Sequence, residues 1–278
     1  MKFLPLLAVL FIMLATGMSL DRAQFAANWR KLTPRDWAKL LLATFVIPPL
    51  LALIIARVLP VDLPTTAGLI LLAVAPGAPL MTRNVARHGL DMHLAASYQI
   101  WGALLAPLMI PLLIGGAGLL YGRSLWISPL VVLAVMAKQQ FAPLLAGMAW
   151  RHFAPSSSAK LVRPLNLAGN LLLIVVIIGL LIKVSPELTA QHWWLALAVP
   201  WLAVGCLLTM RFLIPERPTL AVSNVNRHVG LALLLSETAA QNALRVLPVL
   251  AAYAFTAPLV MALCVRRLHR PIIPASTP

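Results

Sequence analysis

Residues 69–89 read LILLAVAPGAPLMTRNVARHG. An apolar run suited to a membrane helix is interrupted at Ala75-Pro76-Gly77-Ala78-Pro79 and resumes with Arg83, Asn84, Arg87 and His88. Two prolines three apart remove backbone donors, and the glycine between them permits a non-helical turn. In hydrocarbon, polar backbone freed in this way is tolerated only where it faces protein or a water-filled cavity. The stretch therefore predicts either a kink at a helix–helix contact or, more sharply, a discontinuous helix whose half-helix ends face a site at mid-membrane.

Composition places the whole chain in lipid. Of its 278 residues 61% are hydrophobic and 10% charged, and the mean hydropathy is +0.92. A soluble domain carries about a quarter charged residues. Apolar runs fall at about 3–20, 40–59, 63–88 (broken), 94–121, 126–150, 164–183, 192–213, 218–236 (broken) and 243–265. At roughly 20 residues per crossing, that predicts an all-α membrane protein of about nine transmembrane helices. The chain reads as one polytopic domain over 1–278, with no soluble domain beside it. The first run opens with Lys2 but lacks a small-x-small cleavage site, so it is read as a retained span.

Charge then orients the chain. Alternate links and the C-terminus carry fifteen of the 22 Lys and Arg, among them Arg22, Arg30, Lys31, Arg35, Lys39, Arg83, Arg87, Arg151, Lys160, Arg163, Arg211, Arg217 and Arg270. The opposite side carries only Lys2, Arg57, Arg123, Lys183 and Arg245. The positive-inside rule puts the basic side in the cytoplasm, so the N-terminus is outside and the C-terminus inside, in an inner (plasma) membrane. Because the basic residues are spread over five segments, they account for topology and point to no nucleic acid. Cys206 and Cys264 lie in separate runs without metal-ligand spacing, so no metal site and no cofactor are expected.

Two further places hold polar groups at membrane depth. In 220–233, LAVSNVNRHVGLAL, the cluster Ser223, Asn224, Asn226, Arg227 and His228 is flanked by apolar segments each too short to span alone. In MAKQQFAP, Lys138 precedes Gln139 and Gln140; this lysine either snorkels to an interface or serves as a coupling group. The first cluster also matches the opening stretch, since NVARHGL begins at Asn84 and NVNRHVGL at Asn224. Interruptions at corresponding places, the third and eighth spans, are the signature of inverted repeats, here about 1–121 and 126–270.

The order and spacing of these segments resemble the bile acid:sodium symporter superfamily over nearly the whole chain. LFIMLATGMSL, TFVIPPLLALI, AGLILLAVAPGAP, HGLDMHLAASYQIWGALLAPLMIPLL and ERPTLAVSNVNRHVGLALL each resemble a family segment in turn. The resemblance implies a panel and a core, two broken helices that cross near the substrate, and alternating access. The departures fall on the ion ligands. Aligned without gaps, the family's Ser-Asn sodium ligands land on Met81 and Thr82, its Glu on Ser223, its Gln-Asn on Arg227 and His228, its second-span Gln on Thr44 and a further Ser on Ala95. A thioether cannot serve a hard cation and an arginine repels it, so the sodium sites are expected to be lost.

The expected function is secondary transport of a small organic anion without sodium. Pro76, Gly77, Thr82, Arg83, Asn84, Ser223, Asn224, Asn226, Arg227 and His228 form the expected substrate site, with Arg227 as partner of the substrate's charge. The bland alternative for Arg227 is a structural bond to a carbonyl or to Glu237. His228 or Lys138 would couple transport to protons. The alternative function is a transport-incompetent sensor or interaction module on the same fold. The partners expected are the anion, the lipid bilayer and a second copy in a homodimer. Enzyme chemistry is not expected, because no two of the seven acids come together at mid-membrane. The orientation predicts that an impermeant thiol reagent modifies a Ser276→Cys variant from the cytoplasmic side only; modification from outside alone reverses the topology.

Overall fold

The computed structural model describes residues 3–21, 23, 27, 32–120, 127–184, 193–239 and 243–268. Lys2, Arg22, Arg30, Lys31, Arg123, Glu187 and Arg270 lie outside these, as does the side chain of Glu237. All the regular structure among the described residues is helical. The elements are α1 (Phe3–Ser19), α2 (Pro34–Leu41), α3 (Ile47–Val58), α4 (Leu63–Val74), α5 (Met81–Arg87), α6 (Met92–Leu120), α7 (Pro129–Met136), α8 (Ala142–Phe153), α9 (Pro155–Val184), α10 (Leu195–Leu213), α11 (Pro218–Val225), α12 (Val229–Ala239) and α13 (Ala243–Leu268). Short π-helical turns, Leu42–Val46 and Ala137–Phe141, join α2 to α3 and α7 to α8.

Six helical stretches are long and apolar enough to cross a membrane: Pro34–Val58, Met92–Leu120, Pro129–Phe153, Pro155–Val176, Leu195–Leu213 and Arg245–Val265. Leu4–Ser19 and Leu63–Val74 are shorter apolar helices. The stretch HFAPSSSAK, which reads in sequence as a link, is mostly the first turns of α9. Pro155 suits a first helical position, where its missing N–H costs nothing.

Local chemistry sets the starts. Thr33 and Asp36 cap α2 reciprocally, the Asp36 N–H donating to Thr33 Oγ1 and the Thr33 N–H to Asp36 Oδ2. Asp62 caps α4 by accepting the Thr65 N–H, and Asp91 accepts the N–H groups of His93 and Leu94 at the head of α6. Three acids thus sit at helix ends.

Two packed groups result. Helices α1, α8 and α9 pack on one another. The main body surrounds α4, which touches α3, α6, α10, α12 and α13 and is buried from Thr65 to Val74 except at Ala67. Helix α11 packs on α5, α6, α10 and α13 and is buried from Thr219 to Val225. The contact of α1 and α8 with α6 is a small separate cluster of Leu20, Ala96 and Leu144.

Within the three-helix group the backbones of α1 and α8 nearly touch. A Cβ on Gly17 would stand 2.1 Å from the Leu144 carbonyl oxygen, and one on Gly147 would stand 2.2 Å from the Leu14 carbonyl oxygen. Small residues permit such approach between membrane helices. Gly17→Ala or Gly147→Ala should therefore destabilise the protein by roughly 1–3 kcal/mol through overpacking. Gly116→Ala, at a site with open space, should be neutral or slightly stabilising. Thermal unfolding in detergent checks both, and equal effects at Gly17 and Gly116 would refute the close contact.

Candidate functional site

Helix α4 stops at Val74, and Ala75–Leu80 is not helical before α5 begins. Helix α11 stops at Val225, and Asn226–His228 is not helical before α12. The two stops have similar backbone geometry, Ala75 at φ −101°, ψ 86° and Asn226 at φ −78°, ψ 83°. Each stop also closes its helix with an i to i−3 bond, Ala75 N–H to Leu72 and Asn226 N–H to Ser223. The freed groups then find each other. The His228 N–H donates to the Ala75 carbonyl at 2.9 Å, and the Ala78 N–H donates to the Asn226 carbonyl at 3.1 Å. Asn84 Nδ2 adds a side-chain bond to Asn226 Oδ1 at 3.0 Å. Gly77 takes φ +75°, a left-handed conformation that glycine adopts without strain.

Arg227 lies beside this junction, 3% exposed. Its Nη1 donates to the carbonyls of Thr44 at 3.0 Å and Ala73 at 3.3 Å, and its Nη2 donates to Asn224 Oδ1 at 3.0 Å and Cys206 Sγ at 3.5 Å. These acceptors are free for reasons visible in the chain. The Thr44 carbonyl would bond residue 48 in an α-helix, but that residue is Pro48. The Ala43 carbonyl would bond Ile47, whose N–H instead closes the π-helical turn onto Leu42, and the next residue is again Pro48. Asn224 Nδ2 takes that Ala43 carbonyl at 3.1 Å and the Cys206 carbonyl at 2.8 Å. Ala73 sits too near the end of α4 for a helical donor.

The hydroxyls complete the network. Tyr98 donates to Asn224 Oδ1 at 2.8 Å, so the 2.8 Å contact between Tyr98 and Thr44 has Thr44 as donor. All four hydrogen-bonding positions of the Asn224 amide are then used. Tyr253 donates to the Val225 carbonyl at 2.7 Å, at the end of α11.

Some polar atoms here have no partner. Six buried side-chain polar atoms among the described residues are unbonded, and five are Thr82 Oγ1, Arg83 Nη1, Ser223 Oγ, Arg227 Nε and His228 Nε2. His228 Nδ1 accepts the Leu231 N–H at 3.0 Å. In the neutral imidazole Nε2 must therefore carry the proton.

The structure brings Asn84, Asn226 and His228 to the junction, with Asn224 and Arg227 alongside, while Pro76 and Gly77 line its first stretch. Thr82 and Ser223 are buried on the helices that flank it, and Arg83 is half-buried. Lys138 is exposed, and Gln140 two residues on is the buried group of that turn. Of the two readings for Arg227, its guanidinium makes the carbonyl contacts. The sequence alone assigns no role to Tyr98, Gln99, Gln140, Tyr253 or Cys206. The signal available for the first two was a Tyr-Gln pair inside the apolar run that became α6.

Sodium fits this site poorly. Carbonyls released at breaks in membrane helices are the oxygens that coordinate sodium in transporters of this general design. Here the Thr44 and Ala73 carbonyls hold a guanidinium, whose charge repels a cation.

A model of the sodium bile acid symporter family matches residues 6–188. No curated protein matches the chain. The matched stretch runs from α1 through α9 and contains the first interruption.

Losing the Asn224 amide would strip partners from Arg227, Tyr98 and two carbonyls at once. Asn224→Ala should cost roughly 2–4 kcal/mol of stability, because it leaves a buried charge and several polar groups underbonded. Asn84→Ala, which removes one bond, should cost about 1 kcal/mol. Chemical unfolding in detergent tests the ranking; equal costs would show that Asn224 does not organise the network.

Proposed function

We propose, on the premise that the chain belongs to the sodium bile acid symporter family, that this multi-pass membrane transporter carries a small organic anion without sodium. The observation that carries the reading is the set of unbonded nitrogens on Arg83, Arg227 and His228, each of which can only donate a hydrogen bond, with the unbonded hydroxyls of Thr82 and Ser223 able to donate beside them. A site whose unmet need is for acceptors favours an anion. Arg227 adds positive charge in a low-dielectric setting, where Coulomb attraction is strong. Buried arginine in a membrane protein marks a substrate or ion pathway by default. Among the described carboxylates, Asp36, Asp62 and Asp91 cap helices and Glu216 is exposed.

In this reading the interrupted segments are the third and eighth of nine spans, crossing at the centre of two inverted repeats. The paired backbone bonds of Ala75 with His228 and of Ala78 with Asn226 support it. The guanidinium of Arg227 keeps its Nη groups on protein carbonyls and offers the substrate its field and its Nε–H. Arg83, with Nη1 unbonded, is the more direct contact for the substrate's charge. His228 is the group through which a proton would couple, which requires the Leu231 N–H to leave Nδ1. The basic side faces the cytoplasm.

A thermal-shift panel of small carboxylates and sulfonates tests this in sodium and in choline medium. An anion at 100 times its Kd should add about 2.7 kcal/mol of stability, equally in both media. Arg83→Ala should remove that gain while leaving the unliganded protein unchanged. Stabilisation that requires sodium, or that amines share, would overturn the reading.

A further inference from the structure

The three-helix group reaches the interrupted stretch through one amide. Gln140, 2% exposed, donates from Nε2 to the Gly77 carbonyl at 3.0 Å. Its Oε1 accepts from Gln99 Nε2 at 3.5 Å, and Gln99 Nε2 also lies 3.5 Å from Met13 Sδ on α1. A chain of contacts thus runs from α1 and the turn before α8 to Gln99 on α6 and to Gly77. Gly77 lies outside any helix, so its carbonyl has no helical partner. A Cβ at Gly77 would stand 3.4 Å from the Gln99 carbonyl oxygen, so Gln99 adjoins the break with its backbone as well.

Two features make this amide pair separable. Gln140 sits on the π-helical turn Ala137–Phe141, and such turns recur at functional sites because the added residue re-aims a side chain. Around it, the apolar contact of α1 and α8 with α6 is a small cluster apart from the main core, Leu20, Ala96 and Leu144 with Met92, Ile100 and Met148 packed against it. The bonds are neutral, and the Gln99–Gln140 contact is long. They can break and re-form without exposing a charge.

We propose that the Gln99–Gln140 pair is a clasp that holds the three-helix group closed over the junction, and that its release uncovers the Gly77 carbonyl and opens access to the site. The proposal rests on the transporter reading. It also explains why Gln140 is buried while Lys138, which carries the charge, is outside. An unbonded carbonyl at this depth must regain a donor from water or from substrate, so the clasp opens toward a wet space and not toward lipid.

The test reads access without any substrate, so its failure is separate from a failure of anion transport. Ala78→Cys, half-buried within the stretch, reports opening through its alkylation rate in lipid nanodiscs. Gln140→Leu, which cannot donate to the Gly77 carbonyl, should raise that rate about tenfold, as expected when a bond of ordinary net strength is lost. Ala198→Cys, 0% exposed on α10 and two turns from the junction, should stay unreactive. Gln99→Leu should raise the rate less, and the double variant should fall short of the product of the two effects. If Gln140→Leu does not fold, the Gln99→Leu variant alone decides. An unchanged rate at Ala78→Cys, or a rise matched at Ala198→Cys, would overturn the proposal.

Discussion

The structure turns on backbone carbonyls that have lost their helical donors and the side chains that answer them. Pro48 and the π-helical turn before it free the carbonyls of Ala43 and Thr44, and the end of α4 frees those of Ala73 and Ala75. Each would be costly if left unpaired away from water. Asn224, Arg227 and the His228 N–H converge on them from α11 and the turn after it. The junction is therefore held by mutual need. The breaks create acceptors, and the polar cluster that sequence places in an apolar run supplies the donors.

That arrangement explains how a charge can sit in the middle of so apolar a chain. Four of the five donor positions of the Arg227 guanidinium are met by oxygen or sulfur, and α4, α10 and α11 close around it. The cation is shared among partial negative charges, which lowers its desolvation cost without a carboxylate. The same contacts fix α11 against the π-helical turn and α10. Charge and architecture depend on one residue, and Asn224 is the amide that ties the two together.

Much of this was legible in the chain. The Pro-Gly-Pro stretch and the Ser223–His228 cluster stand out because polar groups and helix breakers are rare in long apolar runs, and α4 and α11 end beside them, at Val74 and Val225. The rest depends on rotation about helix axes, which composition does not encode. Lys138 drew attention by its charge, yet on the π-helical turn it faces outward and Gln140 faces in. Tyr98 reads as an ordinary member of an apolar run and Thr44 as the place of a missing ion ligand, because their roles exist only once α6 and the turn before α3 meet α11. The boundary at Pro155 was hidden by three serines, which read as a loop but suit the first turns of a helix.

The fixed position of Arg227 constrains energetics as well as geometry. A mobile ion that binds with substrate and crosses the membrane can drive transport, because it brings its own gradient. A guanidinium held by Thr44, Ala73 and Asn224 stays with the protein, so it can set affinity for an anion but can do no work on it. On the proposed reading, uphill transport must then draw on another moving charge, and His228 is the nearest group able to gain one. Its Nδ1 is engaged by the Leu231 N–H at the start of α12, so a proton entering there would have to loosen that first turn. Proton gain and movement of one half of the eighth span would be the same event. Without it, that reading leaves passive modes alone, in which an anion moves down its own gradient or exchanges for another.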